Sequence, residues 1–113
     1  MIQPGVYNIV CPQGTTYKRT FTYSIGGTAV NLTGYTAAMQ VRSSYDEDAV
    51  ISLTSASGIA LGGTAGTIAI TITNTQSAGV AAGQYVYDLE LNSGGETDRL
   101  VEGTFTVTPE VTR

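Results

Sequence analysis

The run Tyr85-Val86-Tyr87-Asp88-Leu89-Glu90-Leu91 constrains the fold more than any other stretch, because its large apolar side chains recur at every second position. That period sends Tyr85, Tyr87, Leu89 and Leu91 to one side of an extended chain and Val86, Asp88 and Glu90 to the other; a helix would scatter the same four around its circumference. The pattern predicts a strand with one buried face. Gly83 stands before it and Asn92-Ser93-Gly94-Gly95 after it, and a second strand-like run, Leu100 to Thr108, returns at once, so the two form a predicted hairpin.

The same alternation recurs along the chain. Val6 to Val10 reads as a first strand closed off by Cys11-Pro12-Gln13-Gly14, since proline has no ladder donor and glycine permits a turn. Between Thr15 and Tyr23, the residues Tyr17, Arg19, Phe21 and Tyr23 share one face, with Phe21 and Tyr23 expected inward and Lys18 and the threonines outward. Ser24 to Thr28 reverses the chain, and Ala29 to Leu32 is a short edge piece. From Tyr35 to Arg42 the inward set is Tyr35, Ala37, Met39 and Val41, followed by an exposed loop at Ser43-Ser44-Tyr45-Asp46-Glu47-Asp48. Short apolar runs follow at Ala49–Leu53 and Ile59–Leu61. Then Ile68, Ile70 and Ile72, two apart, predict another half-buried strand. Asn74 to Val80 is long enough only for one helical turn, capped by Asn74 or Thr75, with Val80 plugging the end of the core. In the return strand Leu100 is out of phase with Val101, Phe105 and Val107; a bulge at Gly103 or an edge-exposed Leu100 accounts for this. Pro109 ends the pairing.

Many short strands at roughly 8–12 residue spacing, with no helix of ordinary length, are the signature of a two-sheet sandwich or small barrel. The preferred fold class is all-β, an immunoglobulin-like antiparallel β-sandwich of about seven to nine strands. Gly83-Gln84-Tyr85-Val86-Tyr87 matches the start of the penultimate strand of such folds: Tyr85 would make the corner hydrogen bond, and Tyr87 would replace the second disulfide cysteine. The 113 residues fit one domain, 1–113, with 109–113 as a C-terminal tail.

Composition narrows the function. Charged residues are only 12% of the chain, and eighteen threonines fill much of the polar quota. The net charge is −4 and the five basic residues are scattered, which disfavours nucleic acid as a partner. No apolar run approaches the ~18 residues of a membrane span, and no basic-then-apolar leader opens the chain, so a non-exported, membrane-free product is expected. With no histidine in the sequence, the commonest general base and zinc ligand are absent. Cys11, alone beside Pro12, reads as a small buried residue rather than a nucleophile. Asp46-Glu47-Asp48 lacks the spacing of a calcium loop, and the carboxylates Asp88, Glu90, Glu96, Asp98 and Glu102 read as a polar outer face partnered by Arg99. The glycines at 58, 62, 63 and 66 lack the lysine and helix of a phosphate loop. The expectation is therefore no catalytic, cofactor-binding or metal-binding residues, no cofactor, and no enzyme.

The strings Gly14-Thr15-Thr16-Tyr17 leading to Phe21-Thr22-Tyr23, Asn31-Leu32-Thr33-Gly34-Tyr35 running to Arg42, Gly83 to Leu91, and Leu100 to Arg113 together resemble small tail-region structural proteins of tailed bacteriophages. The chain is similar in outline to the immunoglobulin-like N-terminal module of phage baseplate upper proteins. That resemblance implies a non-enzymatic virion component, assembled in the bacterial host cytoplasm, with other virion proteins as partners and a homo-oligomer, most often a trimer, as its state. The chain ends at Arg113 without an attached coiled coil or receptor-binding region, which favours an adaptor role in the tail, baseplate or fibre-attachment region. A capsid decoration protein is an alternative, as is a carbohydrate- or receptor-binding module using Tyr7, Tyr17 or Tyr45 to stack on sugar rings.

Overall fold

A computed structural model describes residues 5–44 and 46–109. The tail 110–113 and Tyr45 lie outside the described residues. Among the described residues there are eleven strands: β1 (Gly5–Val6), β2 (Ile9–Pro12), β3 (Tyr17–Thr22), β4 (Ser24–Ile25), β5 (Thr28–Ala29), β6 (Thr36–Arg42), β7 (Ala49–Thr54), β8 (Ile59–Leu61), β9 (Thr67–Ile72), β10 (Gly83–Ser93) and β11 (Glu96–Thr108). Three of them, β1, β4 and β5, are two residues long. A 3-10 turn spans Gly63–Ala65 and one short helix, α1, spans Asn74–Ala78.

The strands form two main sheets. In the larger the order is β1-β11-β10-β6-β7, with β2 also beside β11; in the smaller it is β3-β9-β8, and β4 with β5 makes a separate hairpin. With β3, β6, β7, β8, β9, β10 and β11 read as B, C, C′, D, E, F and G, this is the strand order of an immunoglobulin-like sandwich. Pairing is antiparallel except where β1 and β2 run parallel to β11. The core between the sheets takes the residues that alternate inward: Met39 and Val41, Leu89 and Leu91, Phe105 and Val107 from one side, and Ile68, Ile70 and Ile72 from the other, all essentially inaccessible. Burying each aliphatic of this size contributes up to about 1.5–3 kcal/mol. Leu32 and Val80 close opposite ends of this core, as their places beyond opposite ends of the β3–β9 pair require.

The predicted hairpin is β10–β11. Its two-residue turn, Gly94-Gly95, has φ of 60° and 89°, the doubly left-handed geometry whose twist matches antiparallel strands. Tyr85 Oη donates to the Ala81 carbonyl at 2.6 Å, which is the expected corner bond, and Tyr87 is buried two residues on.

Several local expectations are corrected. The first strand is not Val6–Val10 closed by a Cys11-Pro12 turn. It breaks at Tyr7-Asn8 and continues through Cys11 and Pro12, because Pro12 lies on a sheet edge where no ladder donor is required. The bulge is at Leu100 rather than Gly103: Leu89 pairs with Val101 and Glu90 with Arg99, leaving Leu100 as the extra, half-buried residue. Phe21 and Tyr23 are only half-buried, since β3 lies at a sheet edge. The edge piece at Ala29–Leu32 is instead the end of the β4–β5 hairpin followed by a buried Leu32. The helix cap is Thr73, one residue before the expected pair. Its hydroxyl accepts from the Gln76 N–H while the Gln76 side chain accepts from the Thr73 N–H, a reciprocal capping box.

Candidate interaction surface

The residues weighed as chemical groups fall in places that suit packing and solvation. Cys11 is fully buried, and burial pushes its thiol up, against a smaller downward pull from the Thr15 hydroxyl, so it is protonated and sheltered. Asp46, Glu47 and Asp48 are exposed on the β6–β7 loop, where the Glu47 carbonyl accepts from Arg42. Among the described residues no three potential metal ligands come together. Asp88 and Glu102 are directly opposed on β10 and β11, and Arg99 reaches both, at 3.3 Å and 3.4 Å. All three are substantially exposed, so these pairs contribute no more than about 1 kcal/mol. The Leu100 bulge is what delivers Arg99 there, since strict alternation from Val101 would turn it inward.

The tyrosines considered for sugar stacking are partly brought together. Tyr7, in the break between β1 and β2, has the Arg19 guanidinium over its ring at 4.5 Å and the edge of Phe21 at 5.7 Å between centroids, interplanar angle 82°. Tyr17 adjoins it, and its hydroxyl is pushed up to about 12, by burial first and by Tyr7 second. Tyr87 packs edge-on against Phe105, donates its hydroxyl to the Tyr7 carbonyl, and is also shifted upward, mainly by burial. This cluster closes the seam between the sheets with cation–π and edge contacts. It leaves Tyr7 with its ring already covered by Arg19, and Tyr45 lies outside the described residues.

The seam also explains Gly103. A Cβ there would lie 2.5 Å from the Tyr7 carbonyl oxygen and 2.9 Å from Asn8 Oδ1. Without it, the Tyr7-Asn8 break sits flat on β11, and Asn8 Oδ1 accepts from the Thr104 N–H at 3.1 Å.

The described surface offers open depressions and sheet margins. One depression, on the outer face of β6 and β10, is rimmed by Gln40, Arg42, Val86, Asp88 and Glu90; another, on the outer face of β8 and β9, has a floor of Ala60, Ala69 and Thr71. The exposed large aliphatics are Val6 and Val10 on the β1–β2 margin, Val50 on β7, and Ile25 at the β4–β5 hairpin. Sequence reasoning did not single out any of these as contact surfaces. Which strand is an edge depends on pairing, which alternation does not encode. Among the described residues no helix is long and apolar enough to cross a membrane. No protein-family model matches the chain, and no curated protein matches it.

Proposed function

We propose that this chain is a non-enzymatic structural subunit of a tailed-phage virion, an adaptor that works by adhesion to other virion proteins in the tail, baseplate or fibre-attachment region. The observation that carries this reading is the run of strings from Gly83 to Leu91 and Leu100 to Arg113, with their resemblance to tail-region modules. The character of the surface supports it: a chain with eighteen threonines and only 12% charged residues, with open depressions on its sheet faces, suits contact with another protein, because desolvating threonine costs less than desolvating lysine or glutamate. A sugar-stacking role has less support, because the Tyr7 ring is already occupied by Arg19.

The chain should be found by mass spectrometry in purified particles, and the recombinant protein should form oligomers in light scattering, with a trimer at three times the 11.7 kDa monomer mass. A strictly monomeric protein that is missing from particles would refute the proposal.

A further inference from the structure

We infer that the free edge of β3 is a strand-acceptor site, filled by an extended, carboxylate-bearing segment of a partner protein that adds as a fourth strand to the smaller sheet. This rests on reading the chain as an assembly subunit.

In the four-stranded sheet of an immunoglobulin-like sandwich, strand B is flanked by strand A. Here the first strand is spent elsewhere. Gly5 and Val6 pair with Val101 and Glu102, and Ile9 to Pro12 pair with Phe105 to Thr108, all on β11. Among the described residues β3 has β9 as its only neighbour.

The direction of the unpaired groups follows from the ladder. The Tyr23 N–H donates to the Gly66 carbonyl at 2.8 Å, in line with the unbroken register from Tyr17↔Ile72 to Thr22↔Thr67. Antiparallel pairing alternates, so Tyr17, Arg19 and Phe21 direct their backbone groups at β9, whereas Lys18, Thr20 and Thr22 direct three N–H and three C=O groups away from it. This edge is guarded by charge alone, through Lys18 and Arg19. Sheet margins are ordinarily blunted by bulges, proline, short length or charged side chains, and the other margins here use the first three. β7 carries a bulge at Val50, because Val41 pairs with Ile51 and Arg42 with Ala49. On β2, Pro12 falls at an outward-pointing position, as the bonds from the Tyr7 and Gln13 N–H groups to β11 show. β8 has three residues. β3 has six, with no bulge, proline or glycine.

Charge selects the occupant. Lys18 and Arg19 are adjacent and exposed, and neither makes an ion pair among the described residues, where Arg99 is the cation that does. A second copy presenting the same edge would bring like charges together. Lys18 shares the outer face of the sheet with Thr20 and Thr22, whereas Arg19 shares the face of Tyr17 and Phe21 and stacks on Tyr7. An incoming strand whose carboxylates lie on the Lys18 face meets opposite charge instead, on a chain whose net charge of −4 disfavours it elsewhere. Aliphatic side chains on the alternate positions would cover Tyr17 and Phe21, which are half-buried at this margin.

The test uses the full chain and a blocked ten-residue peptide of alternating glutamate and valine, with a lysine–valine peptide as control. In the free chain the amides of Lys18, Thr20 and Thr22 should exchange rapidly and those of Arg19 and Phe21 slowly. The glutamate peptide should slow the first three at least tenfold, less so at high salt; the lysine peptide should not. The variant K18E should stay folded and lose the effect. T20P should also stay folded, since its missing N–H faces outward, and should weaken the protection. The inference is overturned if the three amides are already slow in the free chain, if the glutamate peptide leaves them fast, or if both peptides slow them equally. A chain present in particles that fails this test keeps its role and loses the acceptor edge; one that passes it but is absent from particles keeps the edge and loses the role.

Discussion

A methyl group at position 103 would collide with the Tyr7 carbonyl oxygen and Asn8 Oδ1, neither of which retreats without breaking the bonds from Tyr87 and Thr104. Gly103→Ala should therefore destabilise the protein by about 1–3 kcal/mol in a urea melt. Phe105 is wholly buried, and Phe105→Ala should cost about 3–5 kcal/mol by the same measurement. Tyr85 is only half-buried, so Tyr85→Ala should cost less than that, while Tyr85→Phe, which removes just the bond to the Ala81 carbonyl, should cost about 0.5–1.5 kcal/mol. Tyr17 and Tyr87 both hold their phenolic protons more tightly in the folded state than an ordinary tyrosine near 10. The stability they contribute is complete below that value and lost as pH rises through the folded value, about 12 for Tyr17. Thermal melts should be insensitive to these groups up to about pH 9 and fall steeply between about pH 10 and 12. Tyr17→Phe should soften that fall.

Elements that bury one regular face were legible before any pairing was known. β6, β9 and β10 fill their inward positions with Met39, Ile70 and Leu89 and their neighbours two residues away, so period two alone assigns their faces. The β1–β2 margin was read less well, because four to six residues around a break carry too little alternation to locate a strand's end. Pro12 reads as a terminator only until an edge position removes the need for its donor. The helix cap had a usable signal, Thr73-x-x-Gln76, the spacing of a capping box. Thr73→Ala should cost about 1 kcal/mol, seen as a lowered urea midpoint. The Leu100 bulge was visible as a break in phase, but its place depends on Arg99 finding Asp88 and Glu102 across the pair, a contact between strands rather than along one.

For the molecule as a whole, the most remote pairing joins Gly5 to Val101 and Ile9 to Phe105, so nearly the full chain must be in place before the larger sheet is complete. Such non-local topology should fold in milliseconds to seconds rather than microseconds, measurable by stopped-flow fluorescence of the tyrosines. The amino-acid order by itself determined that this chain is built of half-buried strands around an aliphatic core, because the spacing of side chains along an extended backbone is a local property. Tertiary structure alone decided which strands lie at the margins, where the first strand is spent, and hence that among the described residues β3 pairs with β9 alone. Those are outcomes of which strand hydrogen-bonds to which, settled by the competition of distant segments for the same partner, and no single segment carries that information.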